Sequence, residues 1–476
     1  MTQLRQKSQV ATSGMRFFSQ IVHCVLFVLI SVSLCQANAP NVIIILADDL
    51  GYADLACYGN RFNETPRIDS LANRGMRFTQ FYAGPVCSPT RANLQSGLDQ
   101  ARFGITQHIP GHRRPFAKLS DPIVPLQLPI ETLTFAEHLQ ESGYTTGYFG
   151  KWHLGGEGFG PGAQGWQVFE ETRGNTMQGK AKDPSAQRTA KYLTDRATEF
   201  IAANKAKPFL LQVSHHAVHI PLSTTDELLA KYRAKSPAPG YPSNPEYAGL
   251  LEELDQSVGA IVDAVEQHGL SNQTMVVFLS DNGGLEHEQG GDKVTSNTPL
   301  RGEKGTLYEG GIRIPSIWCW PTRIKSGTTC DTPAITIDIF ATLSDLSKSA
   351  DKTFQTDGVS LVPLLDDPKA SLDREAFYWH LPHYHHSTPA SAIRKGDWKL
   401  IEFYENQSIE LYNLRSEVGE KVNLASKEAT VAEDLQASLR AWRLRVNARM
   451  PILNPDYDPV RSTELGKGKD RKERKK

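Results

Sequence analysis

Asn41-Val42-Ile43-Ile44-Ile45-Leu46-Ala47-Asp48-Asp49-Leu50-Gly51 is the stretch that decides the fold. Its apolar run is rich in β-branched residues and does not alternate with polar ones, the pattern of a central parallel strand covered on both faces. It ends in two adjacent carboxylates, and open α/β sheets place their ligands at the carboxyl ends of strands. A lone Asp-Asp pair also fits a helix cap or a turn. A second run, Thr274-Met275-Val276-Val277-Phe278-Leu279, ends the same way, in Ser280-Asp281-Asn282-Gly283-Gly284. Two such ends outweigh the cap reading and predict an oxygen-rich cluster of Asp48, Asp49, Asp281 and Asn282. Hard ligands of this kind suit calcium or magnesium rather than zinc, and no Cys/His spacing competes as a zinc site.

Further strands and helices fall between and around these two. Phe209 to Val213 reads as a buried strand running out into Ser214-His215-His216-Ala217-Val218-His219-Ile220-Pro221, whose three histidines fit a transition-metal site or a polar exit loop. Tyr144 to Phe149 reads as a strand with the exit Gly150-Lys151-Trp152-His153-Leu154-Gly155. Lys151 and His153, two apart on an extended segment, project to one side, which a solvated surface pair would also satisfy. Helices are predicted over 65–72, over 134–143 with a glycine stop, over 246–267 and over 334–346. In the third of these Tyr247, Leu251, Leu254, Val258, Ile261 and Val265 mark a core-facing stripe. Beyond Asp367 the texture changes. Ala392 to Arg394, Trp398 to Tyr404 and Ser408 to Leu414 read as strands, the last two as a hairpin, and Val431, Leu435, Leu439, Trp442 and Val446 mark a helix face.

At 476 residues the chain can bury one large core and a smaller one. Its 52 basic and 53 acidic residues leave a net charge of −1, which predicts no general affinity for nucleic acid or acidic membranes. Residues 1–39 read as a signal peptide: basic Arg5, Lys7 and Arg16, the apolar run Ile21 to Ile30, then Ala37-Asn38-Ala39 as a small-x-small cleavage site. That run is short for a membrane span, so an exported, periplasmic or secreted product without a stable membrane anchor is expected. Residues 456–476 read as a basic, disordered tail. Removal of the leader leaves Cys57, Cys87, Cys319 and Cys330, of which Cys319 and Cys330 could close a short loop in an oxidising compartment.

Cys87-Ser88-Pro89-Thr90-Arg91, continuing to Leu94 and Gly97, remains. Pro89 presets a helix start, and a cysteine at a helix N-terminus beside an arginine should be a stabilised, reactive thiolate. This pattern resembles the signature of the type I sulfatases, arylsulfatase-like members of the alkaline-phosphatase-like superfamily, in which the cysteine is oxidised to Cα-formylglycine by a maturase. The motifs around Thr65-Pro66-Arg67, Lys151, His219-Ile220-Pro221, Asp281-Asn282 and Leu300 to Gly305 resemble the same family in order.

The resemblance implies a large, mostly parallel mixed α/β sheet sandwiched by helices over 40–370, and a smaller α+β subdomain of antiparallel sheet plus helix over 371–455. It implies hydrolysis of sulfate esters with one calcium ion held by Asp48, Asp49, Asp281, Asn282 and modified Cys87. It assigns Cys87 as nucleophile, Arg91 as its stabiliser, Asp281 as base, and Lys151, Lys304 and His219 as sulfate contacts, with Lys304 or His219 protonating the leaving oxygen. His153 takes the proton that releases sulfate. His215 and His216 stand behind these. The loops at 104–114 and 380–386 would build the specificity pocket, with His383 and His385 touching a sulfated sugar of a polysaccharide. A phosphoester or phosphonate hydrolase of the same superfamily, marked by a second His/Asp metal set, and a non-catalytic glycan binder are the rival readings.

Overall fold

The computed structural model describes residues 39–177, 187–287, 293–347, 349 and 353–466. All of the expected signal peptide except Ala39, and the tail from 467, lie outside the described residues. The large sheet comprises β1 (Asn41–Ala47), β2 (Met76–Tyr82), β3 (Thr145–Gly150), β4 (Val168–Glu171), β5 (Phe209–Ser214), β6 (Thr274–Ser280), β7 (Arg313–Cys319), β8 (Thr328–Cys330) and β9 (Ala334–Ile335). Its order is β9-β2-β7-β6-β1-β5-β3-β4, with β8 also paired to β2. Only β7 runs against its neighbours, β2 and β6; every other pairing is parallel.

The sheet is mixed, mostly parallel and covered on both faces, as the unbroken apolar run of β1 predicts. Ile43 and Ile45 pack into the cluster beneath helix 245–267, while Val42, Ile44 and Leu46 point to the other face and are equally buried. Among the described residues the helices flanking the sheet include α1 (Pro66–Arg74), α2 (Cys87–Ser96), α3 (Phe135–Glu141), α4 (Thr189–Asn204), α5 (Pro245–Gln267) and α6 (Asp338–Ser347). α3 opens with a capping box in which the Thr134 hydroxyl accepts from Glu137 N and the Glu137 carboxylate accepts from Thr134 N. α5 starts on the Asn244 side chain followed by Pro245.

Two expectations about this part are corrected. The helix predicted over 334–346 begins only at Asp338, because the Asp338 carboxylate accepts from Ile335 N and Val359 N and turns the preceding residues into edge strand β9. The Cys319–Cys330 bridge that the sequence allows does not form, and both cysteines are free. β2 lies between β7 and β8, so the two cysteines sit two strands, about 10 Å, apart, beyond the reach of about 7 Å between Cα atoms that a disulfide allows. Each thiol instead faces a backbone carbonyl, of Arg74 and of Thr332.

The smaller sheet, β10 (Phe377–Leu381), β11 (Ala390–Lys395), β12 (Trp398–Phe403) and β13 (Ile409–Asn413), is antiparallel throughout, and α7 (Ala429–Arg445) packs on it. Ile393, Leu400 and Leu411 meet Leu435, Leu439 and Trp442 on one face. Trp379, Leu381 and Ile401 meet Tyr82, Leu307 and Ile312 of the large part on the other. The chain then pairs Ile452–Leu453 with Leu119–Ser120 and continues along 113–118, with Asp458 N on Phe116 O and Gly466 N on Arg113 O. Residues 456–466, expected as disordered tail, are therefore tied to that loop by hydrogen bonds. Among the described residues no helix is long and apolar enough to cross a membrane.

The seam between the two sheets holds a buried ion cluster. Lys399 Nζ lies 2.9 Å from both Glu309 and Glu420, and Tyr82 donates to Glu309 at 2.7 Å. Burial pushes the Glu309 carboxyl up, but Lys399, Arg313 and Arg394 reverse this and hold it at about 2. Removing the one ammonium leaves two carboxylates buried against each other, so Lys399→Met should lower the unfolding free energy by about 3–5 kcal/mol in a denaturant titration. Lys395→Met, which breaks an exposed pair with Glu375, should leave the midpoint where it was.

Candidate active site

β1 and β6 pair in parallel with Ala47 opposite Ser280, so Asp48-Asp49 and Asp281-Asn282 leave the sheet side by side although more than 230 residues separate them. All four residues are buried. Asp49 takes a left-handed backbone (φ 64°), which turns its N–H onto Asp281 Oδ1 at 3.1 Å. Asn282 Nδ2 donates to Asp49 Oδ1 at 2.8 Å. Burial, then the neighbouring Asp48, raise the Asp281 carboxyl to about 8 even with a guanidinium in contact.

Cations close around this anionic pocket. α2 begins at Cys87, and one turn later Arg91 sends Nε and Nη2 to Asp281 Oδ2 at 3.0 and 2.8 Å and Nη1 to the Lys151 carbonyl at 2.6 Å. Lys151, just past β3, donates to Asp48 Oδ2 at 2.6 Å, and Lys304 donates to Asp49 Oδ2 at 2.7 Å. The loop carrying Lys304 is held against the start of α2 through Gly305 N on Pro85 O at 2.7 Å. His219, beyond β5, places Nε2 3.5 Å from Asp49 Oδ2 and donates Nδ1–H to the Ile220 carbonyl.

Cys87 and His153 face each other, Sγ to Nδ1, at 3.3 Å. His153 Nε2 lies 2.6 Å from the Ile109 carbonyl, which can only accept, so the proton is on Nε2 and the Nδ1 lone pair points at position 87. Burial, then Lys151, push His153 down to about 4, so the ring is neutral at pH 7. The exit after Gly150 is not extended as expected. His153 has φ 61°, and it is this left-handed turn rather than strand alternation that brings Lys151 and His153 to one site.

Two buried oxygens, Asp48 Oδ1 and Asn282 Oδ1, have no hydrogen-bond partner. Orphaned acceptors on hard oxygen ligands, beside an Asp281 carboxyl that burial and Asp48 raise, fit a divalent cation held by Asp48, Asp49, Asp281 and Asn282 with the side chain at 87. Among the described residues this cluster gains one further metal-ligating side chain, His219. No second His/Asp set joins it.

These groups line a cavity of about 820 Å³. His108, His112, Arg114, His385 and His386 form its outer wall together with Asn175, Leu285 and Leu465. His385 is thus in the cavity as expected, but His383 is not. Its Nε2 bonds Thr106 Oγ1 at 2.8 Å and its ring lies near Asp121, behind the wall. His215 bonds Ser257 and His216 bonds Thr172 and Gly174 N, so the run of three histidines is not a metal site. His216 forms part of the wall, and burial pushes it down to about 3. The sequence marked the 104–114 loop for the pocket without marking His108, His112 and Arg114, and nothing local distinguishes them from solvated residues.

Comparison with known proteins gives a consistent result. Residues 40–349 match the family model described as Sulfatase, and residues 302–445 match that described as N-sulphoglucosamine sulphohydrolase, C-terminal. A sulfatase of Formosa agariphila is 31% identical over 94% of this chain and 98% of its own length, and human arylsulfatase A is 29% identical over 88% and 90%. The crystal structure of Ps i-CgsB superposes with a TM-score of 0.74 at 25% identity, covering 88% of this chain and 94% of that one; Ps i-CgsB is also solved with k-i-k-neocarrahexaose.

The orphaned oxygens carry a prediction. Calcium at about 100 times its dissociation constant should stabilise the protein by about 2.7 kcal/mol in thermal unfolding, and Asp48→Asn should abolish most of that gain. An unfolding midpoint indifferent to divalent cations would contradict the cluster's role.

Proposed function

The chain belongs to the sulfatase family and is a sulfuric ester hydrolase, and we propose that it works through Cα-formylglycine made from Cys87 with one calcium ion, on sulfated sugars. The observation that carries this reading is the side chain of residue 87 meeting the bare Nδ1 of His153 inside a cavity walled by Lys151, His219 and Lys304. Formylglycine at position 87 would supply, as its hydrate, a hydroxyl nucleophile and a second hydroxyl for release, chemistry that a thiol lacks. Calcium at the strand ends supplies a fixed positive charge that lowers the cost of the anionic groups gathered there.

The chain's own residues divide the remaining work. Arg91 is pinned between Asp281 and the Lys151 carbonyl, and with a cation bound beside it the Asp281 carboxyl, otherwise raised to about 8, would be ionised to take the proton from residue 87 at the first step. Lys151 and Lys304 stay charged, since their paired carboxylates outweigh the burial that opposes it. They are the cations for the sulfuryl oxygens, and preorganised charge of this kind acts strongly in a site shielded from water. Burial pushes His219 below the ordinary histidine range, and its Nδ1–H is spent on the Ile220 carbonyl. Lys304 is therefore the donor of the proton to the leaving alcohol. His153, with its lone pair toward residue 87, takes the proton whose loss releases sulfate.

The outer wall of histidines, Arg114 and Asn175 suits a hydroxylated, anionic ring better than an apolar aryl group, and the cavity volume is that of a small-ligand site. The C-terminal family match and the oligosaccharide complex of Ps i-CgsB support a saccharide substrate. The N-terminal pattern supports export to the periplasm or the medium, and a formylglycine-generating maturase is the required partner.

Peptide mass spectrometry of active protein should find residue 87 about 18 Da lighter than cysteine. Sulfate release from sulfated oligosaccharides should track that fraction. Full turnover with unmodified cysteine would overturn the proposal. In oxidised protein Lys151→Ala should lower kcat by about 10²–10³, and His153→Ala by about 10²–10⁴.

A further inference from the structure

We propose that His108, His112 and His385 form a second metal site, at the outer wall of the cavity, that takes a borderline divalent transition ion such as zinc rather than calcium. One donor nitrogen from each lies within 4.8 Å of the other two. His108 and His112 flank a tight turn in which Gly111 takes φ 86°, and His385 arrives from the segment after β10. The ring centroids of His108 and His112 are 4.4 Å apart and edge to face, and those of His112 and His385 are 5.3 Å apart and nearly parallel.

Three neutral imidazoles are the donor set of zinc-type ions and a poor one for calcium. Burial pushes all three rings below the ordinary histidine range, with His112 and His386 adding to it, so their lone pairs are free at pH 7. The surrounding bonds fix the orientation that a ligand needs. His108 Nδ1 lies 3.0 Å from Gln107 Oε1, so it carries the proton and leaves Nε2 bare. Arg114 donates to the His385 carbonyl at 3.2 Å. His385 is 92% buried, with its Nδ1 unbonded over Gly305, and His112 makes no hydrogen bond among the described residues.

Nitrogens bound to one zinc ion at about 2.1 Å lie about 3.4 Å apart, so from separations within 4.8 Å the rings need close by at most about 1.4 Å. Two cations face the trio: Lys304 is paired with Asp49, and Arg114 is held on the His385 carbonyl; Glu303 stands near His386 and His287. The trio shares no side chain with the strand-end carboxylates, so it is not the second ion of a bridged two-metal centre. Three ligands leave a position open toward the cavity, where water or an anionic substituent of the substrate would bind. This inference stands on the histidine geometry and does not depend on formylglycine or on the sugar reading.

The test is a cobalt(II) titration of the full mature chain in excess calcium, which fills the oxygen-rich cluster first. One equivalent of cobalt should give the strong visible d–d absorption of a low-coordinate nitrogen site, displaced by zinc and unaffected by more calcium. Affinity should fall at least about 100-fold in His112→Ala, an exposed position that leaves the fold alone, and in His385→Gln. His268→Ala should bind as the unaltered chain does. Absence of that absorption in the unaltered chain, or unchanged affinity in both His112→Ala and His385→Gln, would overturn the proposal.

Discussion

Three carboxylates, Asp48, Asp49 and Asp281, are driven into one water-poor place by the pairing of two parallel strands, and the rest of the site is arranged to compensate them. An isolated buried carboxylate is costly, and like charges side by side add to that cost. Arg91, Lys151 and Lys304 each meet one of the three, within 3.0 Å. Even so, Asp281 remains raised to about 8, and Asp48 and Asn282 keep an oxygen unbonded. Three cations face three carboxylates and keep Asp48 and Asp49 ionised while burial holds Asp281 raised, and the two unbonded oxygens mark where a cation would sit beside the anionic group that the lysines attend.

The fold meets that condition by convergence. β1 and β6 bring the acids, the first turn of α2 brings Cys87 and Arg91, and the exits of β3 and β5 bring Lys151, His153 and His219. The Lys304 loop is tied to the start of α2 and, through His386 on the Lys304 carbonyl at 2.7 Å, to the C-terminal part. The buried Lys399–Glu309–Glu420 cluster locks the two sheets together, which keeps the histidine wall of the cavity in register with its charged floor.

The legible parts were those where one physical signal dominates. The unalternating run 42–46 required cover on both faces, and the acidic ends of two such runs required a shared site. A glycine stop marked α3, and an apolar stripe stepping at three and four marked α5. What escaped reading was set by contacts distant in sequence. The Asp338 carboxylate moved a helix start by turning two residues into strand. Strand order, which no local pattern encodes, put Cys319 and Cys330 on opposite sides of β2. His383 and His385 share a segment, yet Thr106 draws one behind the wall while the other faces the cavity. Lys399 reads as an ordinary strand residue because its partners, Glu309 and Glu420, are placed by the other sheet and by a later loop.

The central claim is that the strand-end carboxylates hold a cation and that Lys151 and Lys304 are there for an anion beside it. A crystal structure of the oxidised protein with calcium and sulfate tests it most directly. The account predicts one ion about 2.3–2.6 Å from oxygens of Asp48, Asp49, Asp281, Asn282 and residue 87, with both lysine ammonium groups on the sulfate. Lysines still paired to Asp48 and Asp49, with no ion between the strand ends and sulfate bound elsewhere, would contradict it.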